Sequence, residues 1–474
     1  MPEPIYSTTP PQSIYETPSK PGPDLSVSSI QPVVPPPPKK KFPIKILGLI
    51  GGAILVVFLL ITLFRALASR GSNSGSGEIT WWGLWEDESV VGPLIQEYQA
   101  KNPKVKITYL KQSQQDYRER LINAIAKGSG PDIFRFHNSW VPMFKNELDI
   151  LPSSVMSAAE YSQTFYPIAA SDLTYGTGIV GIPLMYDGLA LFINEDIFSS
   201  SGKIPPTTWD DLRTTALELT IKDEDGAIVQ SGVALGRTEN VDHWPEIIGL
   251  MMLQNGVRLS NPTGKLAEDA ITFFTIFSSV DAIWDATLPP STQAFAAGKV
   301  AMYIAPSWRA FEIRQQNPNL KFRTVKVPQL AKTNPSDPDV TYATYWAEGV
   351  WARSANKAEA WNFLKFLSEK ESLQKMYLNS SRTRLFGAPY PRVDMASLLA
   401  DEPFISGVII GAQDAQSWYL ASRTFDGPTG INSQINKYFE DGINAVNERI
   451  PVTKALETVA AGVNQVLSQY GLVR

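Results

Sequence analysis

The stretch Ile46 to Phe64, ILGLIGGAILVVFLLITLF, is an unbroken apolar run with Lys45 before it and Arg65 after it. As a helix rising about 1.5 Å per residue it spans about the 30 Å hydrocarbon core of a bilayer, so the sequence predicts one transmembrane helix at 44–65. Lys39, Lys40, Lys41 and Lys45 crowd its N-terminal side, against Arg65 and Arg70 on the other. The positive-inside rule then predicts a single-pass protein of the cell membrane, its N-terminus cytoplasmic and its large C-terminal part extracellular or periplasmic. A signal peptide cleaved after Ala68 is the competing reading. The apolar run exceeds the usual signal core of about 7–15 residues, and a long tail precedes it, which favours an anchor.

That tail, 1–43, holds thirteen of the 36 prolines and very few large aliphatics. It cannot bury enough surface to offset its ordering entropy, so a disordered, partly polyproline II segment is expected. Residues 66–77 include RGSNSGSG, a flexible linker by composition. The folded domain is expected over 78–474. With a formal net charge of −5 the chain has no electrostatic footprint for nucleic acid. It has no cysteine, which removes disulfides, thiol nucleophiles and a lipidated N-terminal cysteine, leaving the helix as the tether.

From Glu78 onward, strand and helix patterns alternate. Ile79 to Trp82 reads as a buried strand, and Val91, Leu94, Ile95 and Tyr98 as a helical stripe ended by Asn102-Pro103. A strand at Val105 to Tyr109, a helix at Tyr117 to Ile125 and a strand at Ile133 to Phe136 follow. This order predicts an α/β lobe with a largely parallel sheet. A second set begins with strands at Ile179 to Pro183 and Leu189 to Asn194 around the Tyr186-Asp187-Gly188 turn. It continues with a helix capped by Thr208, a strand at Val233 to Leu235, helices near Ile247 to Leu253 and Leu266 to Ser279, and the strand Val300 to Ala305. Lys321 to Val327 and Tyr345 to Ala352 read as strands that cross between lobes. Beyond them a mostly helical chain is expected.

Several predicted turns combine aromatics with carboxylates or amides. They are Trp82 to Glu86, Phe136 to Trp140, Tyr186-Asp187, Asp242-His243-Trp244, Trp308-Arg309 and Tyr345-Trp346. In open α/β sheets, ligands settle outside the carboxyl ends of strands. A sugar ring suits such turns, because an aromatic face covers its C–H face while carboxylates and amides meet its hydroxyls. Trp209 and Trp361 fall at apolar-stripe spacing and read instead as core. Gly128 to Asp132 reads as a helix stop and turn, because it does not open a helix as a phosphate cradle must. The only histidines are His137 and His243, too few for a metal centre, and no metal or other cofactor is expected. Glu86, Asp132, Asp187 and Asp242 would equally suit a glycosidase pair or the binding of sugar hydroxyls.

The order of motifs carries a resemblance. Ile79-Thr80-Trp81-Trp82-Gly83-Leu84-Trp85, Gly130-Pro131-Asp132-Ile133, Ile182-Pro183-Leu184, Leu191 to Phe198, Pro206 to Leu212, Ala294 to Met302 and Ala358 to Leu367 follow one another as in the maltose-binding-protein-like solute-binding proteins of ABC sugar importers. The chain resembles that family over Glu78 to Arg474. The resemblance implies a two-lobed α/β fold of the periplasmic-binding-protein type II, with lobe 1 at about 78–186 and 325–372 and lobe 2 at about 187–324 and 373–474. It implies a carbohydrate ligand in the cleft, hinge closure, ABC permease subunits as partners, a monomeric receptor domain and no catalytic residue. Mapped onto this sequence it places Trp85, Glu86, His137, Asn138, Tyr186, Asp187 and Trp308 at the cleft, with Asp242, Trp244, Tyr345 and Trp346 matching in order. An anchored glycoside hydrolase, and a sensor reporting to the Pro-rich tail, stand as alternatives.

Overall fold

The structure, a computed structural model, describes residues 77–332, 334 and 336–473. The Pro-rich tail, the apolar run at Ile46 to Phe64 and nearly all of the linker lie outside the described residues. Among the described residues no helix is long and apolar enough to cross a membrane. Gly77, assigned to the linker by composition, already pairs with Val105 in the first sheet.

The chain order is β1 (Gly77–Gly83), α1 (Glu88–Lys101), β2 (Val105–Lys111), α2 (Tyr117–Ala126), β3 (Ile133–His137), β4 (Ile182–Pro183), β5 (Leu189–Asn194), α3 (Trp209–Leu219), β6 (Ile221–Lys222) and β7 (Ile228–Val233). Then come α4 (Trp244–Gln254), α5 (Lys265–Ser279), β8 (Val300–Pro306), α6 (Arg309–Gln316), β9 (Phe322–Val325), β10 (Thr341–Tyr342) and β11 (Trp346–Val350). The remainder holds α7 (Lys357–Leu367), α8 (Lys370–Ser381), β12 (Ala415–Gln416), α9 (Ile431–Asn447) and α10 (Val452–Gln469), with shorter elements between.

Two five-stranded sheets result, each the centre of one lobe. The first runs β2-β1-β3-β11-β4 and the second β9-β5-β8-β7-β6. In the first, β1 pairs parallel with β2 and β3, as β-α-β crossovers require. Strand β11 lies antiparallel to β3 and β4, because it returns from the other lobe. The second sheet is mixed. Only β7 and β8 pair parallel, while β5 is antiparallel to both β8 and β9.

Burial explains why these segments adopt these states. Val90, Val91, Leu94, Ile95 and Tyr98 form the buried stripe of α1. All of β3, β5, β8 and β11 is buried, the pattern of a central strand covered on both faces. Thr208 caps α3 through its hydroxyl, which accepts from Asp211 N at 3.1 Å.

The chain crosses between lobes beside Gly188, which bridges antiparallel to Ala343, while Thr344 N donates to Asp187 O at 3.0 Å. A Cβ at Gly188 would stand 2.4 Å from the Tyr342 carbonyl oxygen, so only glycine admits this approach. Parallel pairing of β10 with β12 adds a third strand at the same place.

Candidate functional site

A cavity of about 410 Å³ opens where the strand ends of the two sheets meet. The turn after β1 brings Trp85, the end of β3 brings His137, and β11 with the residues before it brings Thr344, Tyr345 and Trp346. From the crossing come Tyr186 and Asp187, and from the end of β8 comes Trp308. Strand ends deliver these side chains because the last residue of a buried strand is the first that emerges from the sheet.

The aromatics form two walls. Trp85 stands edge-on to Trp346 at 5.7 Å and 6.2 Å from Phe425, and His137 lies 5.2 Å from Trp346. On the facing side the Arg309 guanidinium lies 4.5 Å from the Trp308 ring, and His243 stands edge-on to it at 5.6 Å. Tyr186 and Tyr345 line the side between them with rings 6.0 Å apart.

The polar groups are held firmly. Asp187 is buried and accepts from Gly188 N at 2.8 Å and Ser307 N at 3.0 Å on one oxygen. The other takes Ser307 Oγ at 2.9 Å and Trp308 N at 3.3 Å. Burial pushes its carboxyl up to about 6 against the pull of those donors. The carboxylate thereby ties the crossing to the end of β8 and sets the direction in which Trp308 leaves it.

His243 accepts from Arg309 Nε at 2.8 Å on Nε2, which puts its proton on Nδ1, facing Ser422 Oγ at 3.1 Å. Ser422 in turn donates from N and Oγ to Glu246, at 2.6 and 2.8 Å. Burial, aided by Arg309, holds the His243 imidazole below its ordinary range, opposed by Glu246. The chain of bonds pins α4, α6 and the Ser422 loop to one another. Glu246 Oε2 and Arg309 Nη2 remain buried without a hydrogen-bond partner.

His137 Nδ1 lies 2.7 Å from Ser139 Oγ and 3.3 Å from Ser139 N, and its Nε2 lies 3.0 Å from Thr344 Oγ1, so both ring nitrogens have hydrogen-bond partners. Burial lowers it from the ordinary 6.5 to about 3. The unfolded chain therefore binds a proton below pH 6.5 that the folded one refuses until about 3, and stability from this group is lost as pH falls through that window. Urea denaturation at pH 7, 6 and 5 is expected to show the wild type losing about 1.4 kcal/mol per pH unit, below the ordinary histidine value, relative to His137→Gln.

Of the residues singled out from sequence, Trp85, His137, Tyr186, Asp187, Trp308, Tyr345 and Trp346 meet at this cavity. Four sit elsewhere. Glu86 is clamped by Arg135 in a buried ion pair. Asn138 donates to Asp172 at 2.8 Å beside a separate cavity of about 260 Å³. Asp242 accepts from Thr292 N and Oγ1 at 2.9 and 2.6 Å, and Trp244 is buried at the start of α4. The lining also includes Gln114, Phe311, Glu312, Arg384, Phe386 and Arg423, which sequence patterns did not mark. Among the described residues no three His, Asp or Glu side chains gather as a metal site needs.

This architecture and its cavity have relatives. A binding protein of Brucella abortus is 23% identical over 331 residues, 66% of this chain and 77% of that one. The maltotriose-binding protein of Pyrococcus abyssi is 24% identical over 330 residues, 66% of this chain and 67% of its own. The sugar-binding protein MalE of Xanthomonas citri superposes with a TM-score of 0.67 at 16% identity, over 83% of this chain and 98% of that one. At that identity the superposition establishes the two-lobed α/β fold. Residues 84–374 match the family of bacterial extracellular solute-binding proteins, and the chain belongs to that family.

Proposed function

We propose that this protein is a membrane-anchored receptor that captures a sugar or oligosaccharide between its lobes and delivers it to the permease of an ABC importer. The observation that carries the reading is the cavity at the lobe junction, walled by Trp85 and Trp346 on one side and Trp308 on the other. Flat apolar faces on both sides of a slot, with tethered polar groups at its edge, complement a pyranose ring. Related folds support it, since solved structures with TM-scores of 0.66 and 0.61 are a cyclo/maltodextrin-binding protein with maltotetraose and a Listeria monocytogenes ABC substrate-binding protein with cycloalternan.

The mechanism is differential affinity. A ligand that touches both walls only when the lobes close shifts the open–closed equilibrium by its preference for the closed form, and the permease reads that form. Binding needs no covalent step. The carboxylates that suggested a hydrolase are committed elsewhere, Glu86 to Arg135 and Asp187 to four donors. The apolar run at Ile46 to Phe64 serves as the tether in a chain without cysteine.

Calorimetric titration of the full chain against a panel of neutral and acidic mono- and oligosaccharides tests the reading. Saturable binding to one of them is expected. Silence across the panel together with binding to peptides, polyamines or iron would remove the carbohydrate claim. Mass determination of the native protein separates a retained helix from cleavage after Ala68.

A further inference from the structure

This inference rests on the carbohydrate reading and narrows the class of sugar. A neutral sugar presents hydroxyls that donate as well as accept, and it needs free acceptors in its site. An acid group on a sugar only accepts, and a guanidinium only donates. The hydrogen-bonding capacity left unused in the cavity therefore distinguishes the two.

The carboxylates of the lining are nearly all spent. Both oxygens of Asp187 have two donors each. Glu312 pairs with Arg309 and accepts from Gln316 Nε2 at 3.3 Å. Glu246 Oε1 takes both Ser422 donors, leaving Oε2 as the one unused carboxylate oxygen among these groups.

Among the cations of the lining, Arg384 is the one left without an ion pair among the described residues. Arg384 donates from Nε to the Phe386 carbonyl oxygen at 2.9 Å, and its guanidinium lies 5.3 Å from the Phe311 ring. No Asp or Glu among the described residues forms an ion pair with it; burial works against its charge, and Glu86 favours that charge only from beyond ion-pair distance. Phe311 and Phe386 pack at 4.4 Å, so the guanidinium rests on a rigid aromatic wall with Nη1 and Nη2 uncommitted. Arg309 is held more fully: Nε donates to His243, Nη1 pairs with Glu312, and Nη2, which has no hydrogen-bond partner, lies 3.6 Å from Asp242 Oδ1. Arg423 stands at the rim, 3.9 Å from Asp242 and about half exposed.

We infer that the cavity takes a saccharide bearing an acidic group, a uronate carboxylate or a sulfate ester, which the Arg384 fork holds in a bidentate contact while Trp85 and Trp308 cover the ring. The fork geometry matches two oxygens of such a group, and the ligand supplies the direct ion-pair contact that Arg384 otherwise lacks.

Three probes decide it: maltotriose, trigalacturonate and 6-O-sulfated maltotriose, each titrated into the full chain by calorimetry. At least one acidic probe is expected to bind at least about tenfold tighter than maltotriose, with an advantage that shrinks from low to high salt. Which of the two wins separates carboxylate from sulfate. Arg384→Gln is expected to erase the advantage. Arg384→Lys, which keeps the charge without the fork, retains part of it, and thermal unfolding of both variants checks that they fold. Maltotriose binding as tightly as both acidic probes would overturn the inference and leave the sugar receptor standing. Silence with all three overturns the inference, and the wider panel then decides the receptor reading separately. An acidic-probe affinity unchanged in Arg384→Gln would also overturn it.

Discussion

Replacing Arg135 with methionine is expected to destabilise the folded domain by roughly 3–5 kcal/mol, the scale for removing one partner of a buried ion pair. Arg135 lies on β3, 1% exposed, between two carboxylates. Its Nε donates to Glu348 Oε1 at 2.7 Å and its Nη1 pairs with Glu86. Glu348 also accepts from Trp81 Nε1 at 3.2 Å. The cluster carries one positive and two negative charges, so the variant leaves two buried carboxylates sharing one site with no cation between them. Methionine fills much of the volume, which isolates the electrostatic loss from a cavity term.

The pH dependence separates this mechanism from simple mispacking. Burial already pushes the Glu348 carboxyl up, and Arg135 is the main pull downward. Without Arg135 the folded-state value rises further above that of the unfolded chain. A carboxyl raised in this way stabilises the fold at low pH and loses that contribution as pH rises through its folded value. Urea denaturation should therefore give a larger deficit at pH 8 than at pH 5. A deficit that is the same at both would assign the loss to packing. The turn after β1 should loosen as well, because Glu86 adjoins Trp85 and Tyr109 Oη donates to the Glu86 carbonyl at 2.7 Å.

The same cluster shows what the sequence can and cannot convey. A carboxylate beside an aromatic at a strand end reads as ligand-facing, and Glu86 has that context. Its actual partner, Arg135, also serves Glu348, and the residues of that second contact are 213 positions apart, a pairing that no local pattern encodes. Strand ends were legible for the opposite reason. Trp85, His137, Trp308 and Trp346 sit at or beside the ends of strands whose apolar runs are plain, so their place at a sheet edge follows from period and length alone.

Much of the remaining lining comes from 382–430, where turns and brief 3-10 segments surround one short helix, Ser406–Ile410, and strand β12. Arg384, Phe386, Ser422, Arg423 and Phe425 have no periodicity around them to reveal which way they point. Arg423 and Phe425 even hold φ values of 57° and 55°, a conformation that sequence signals only through glycine or asparagine. The position of β7 shows a milder failure. A run at Val233 to Leu235 suggested the strand, but pairing with β6 and β8 draws it back to Ile228–Val233, where Ile228 to Gln230 are partly or largely exposed and the buried Ser231 and Gly232 carry no apolar side chain.

Trp85→Ala and Trp308→Ala are each expected to weaken carbohydrate binding by about 2 kcal/mol, roughly 30-fold, the scale of an aromatic hot spot. Both rings are part-buried, unlike the fully buried Trp81 and Trp140, so each retains a face for a ligand. They also answer to different sheets, Trp85 following β1 and Trp308 following β8. Thermal unfolding should move little for either. The proposed closure makes their losses differ in kind, since a ligand resting on one wall gains the other only when the lobes meet. Small-angle scattering of the wild type is expected to show contraction at saturating ligand. With Trp308→Ala, contraction should weaken even at ligand concentrations that restore occupancy, because the preference for the closed form has fallen with the lost contact. Contraction undiminished at full occupancy would place the closing contact on another residue of the β8 wall. Affinity unchanged within about twofold in both variants would mean that the rings are structural walls and that the ligand lies elsewhere.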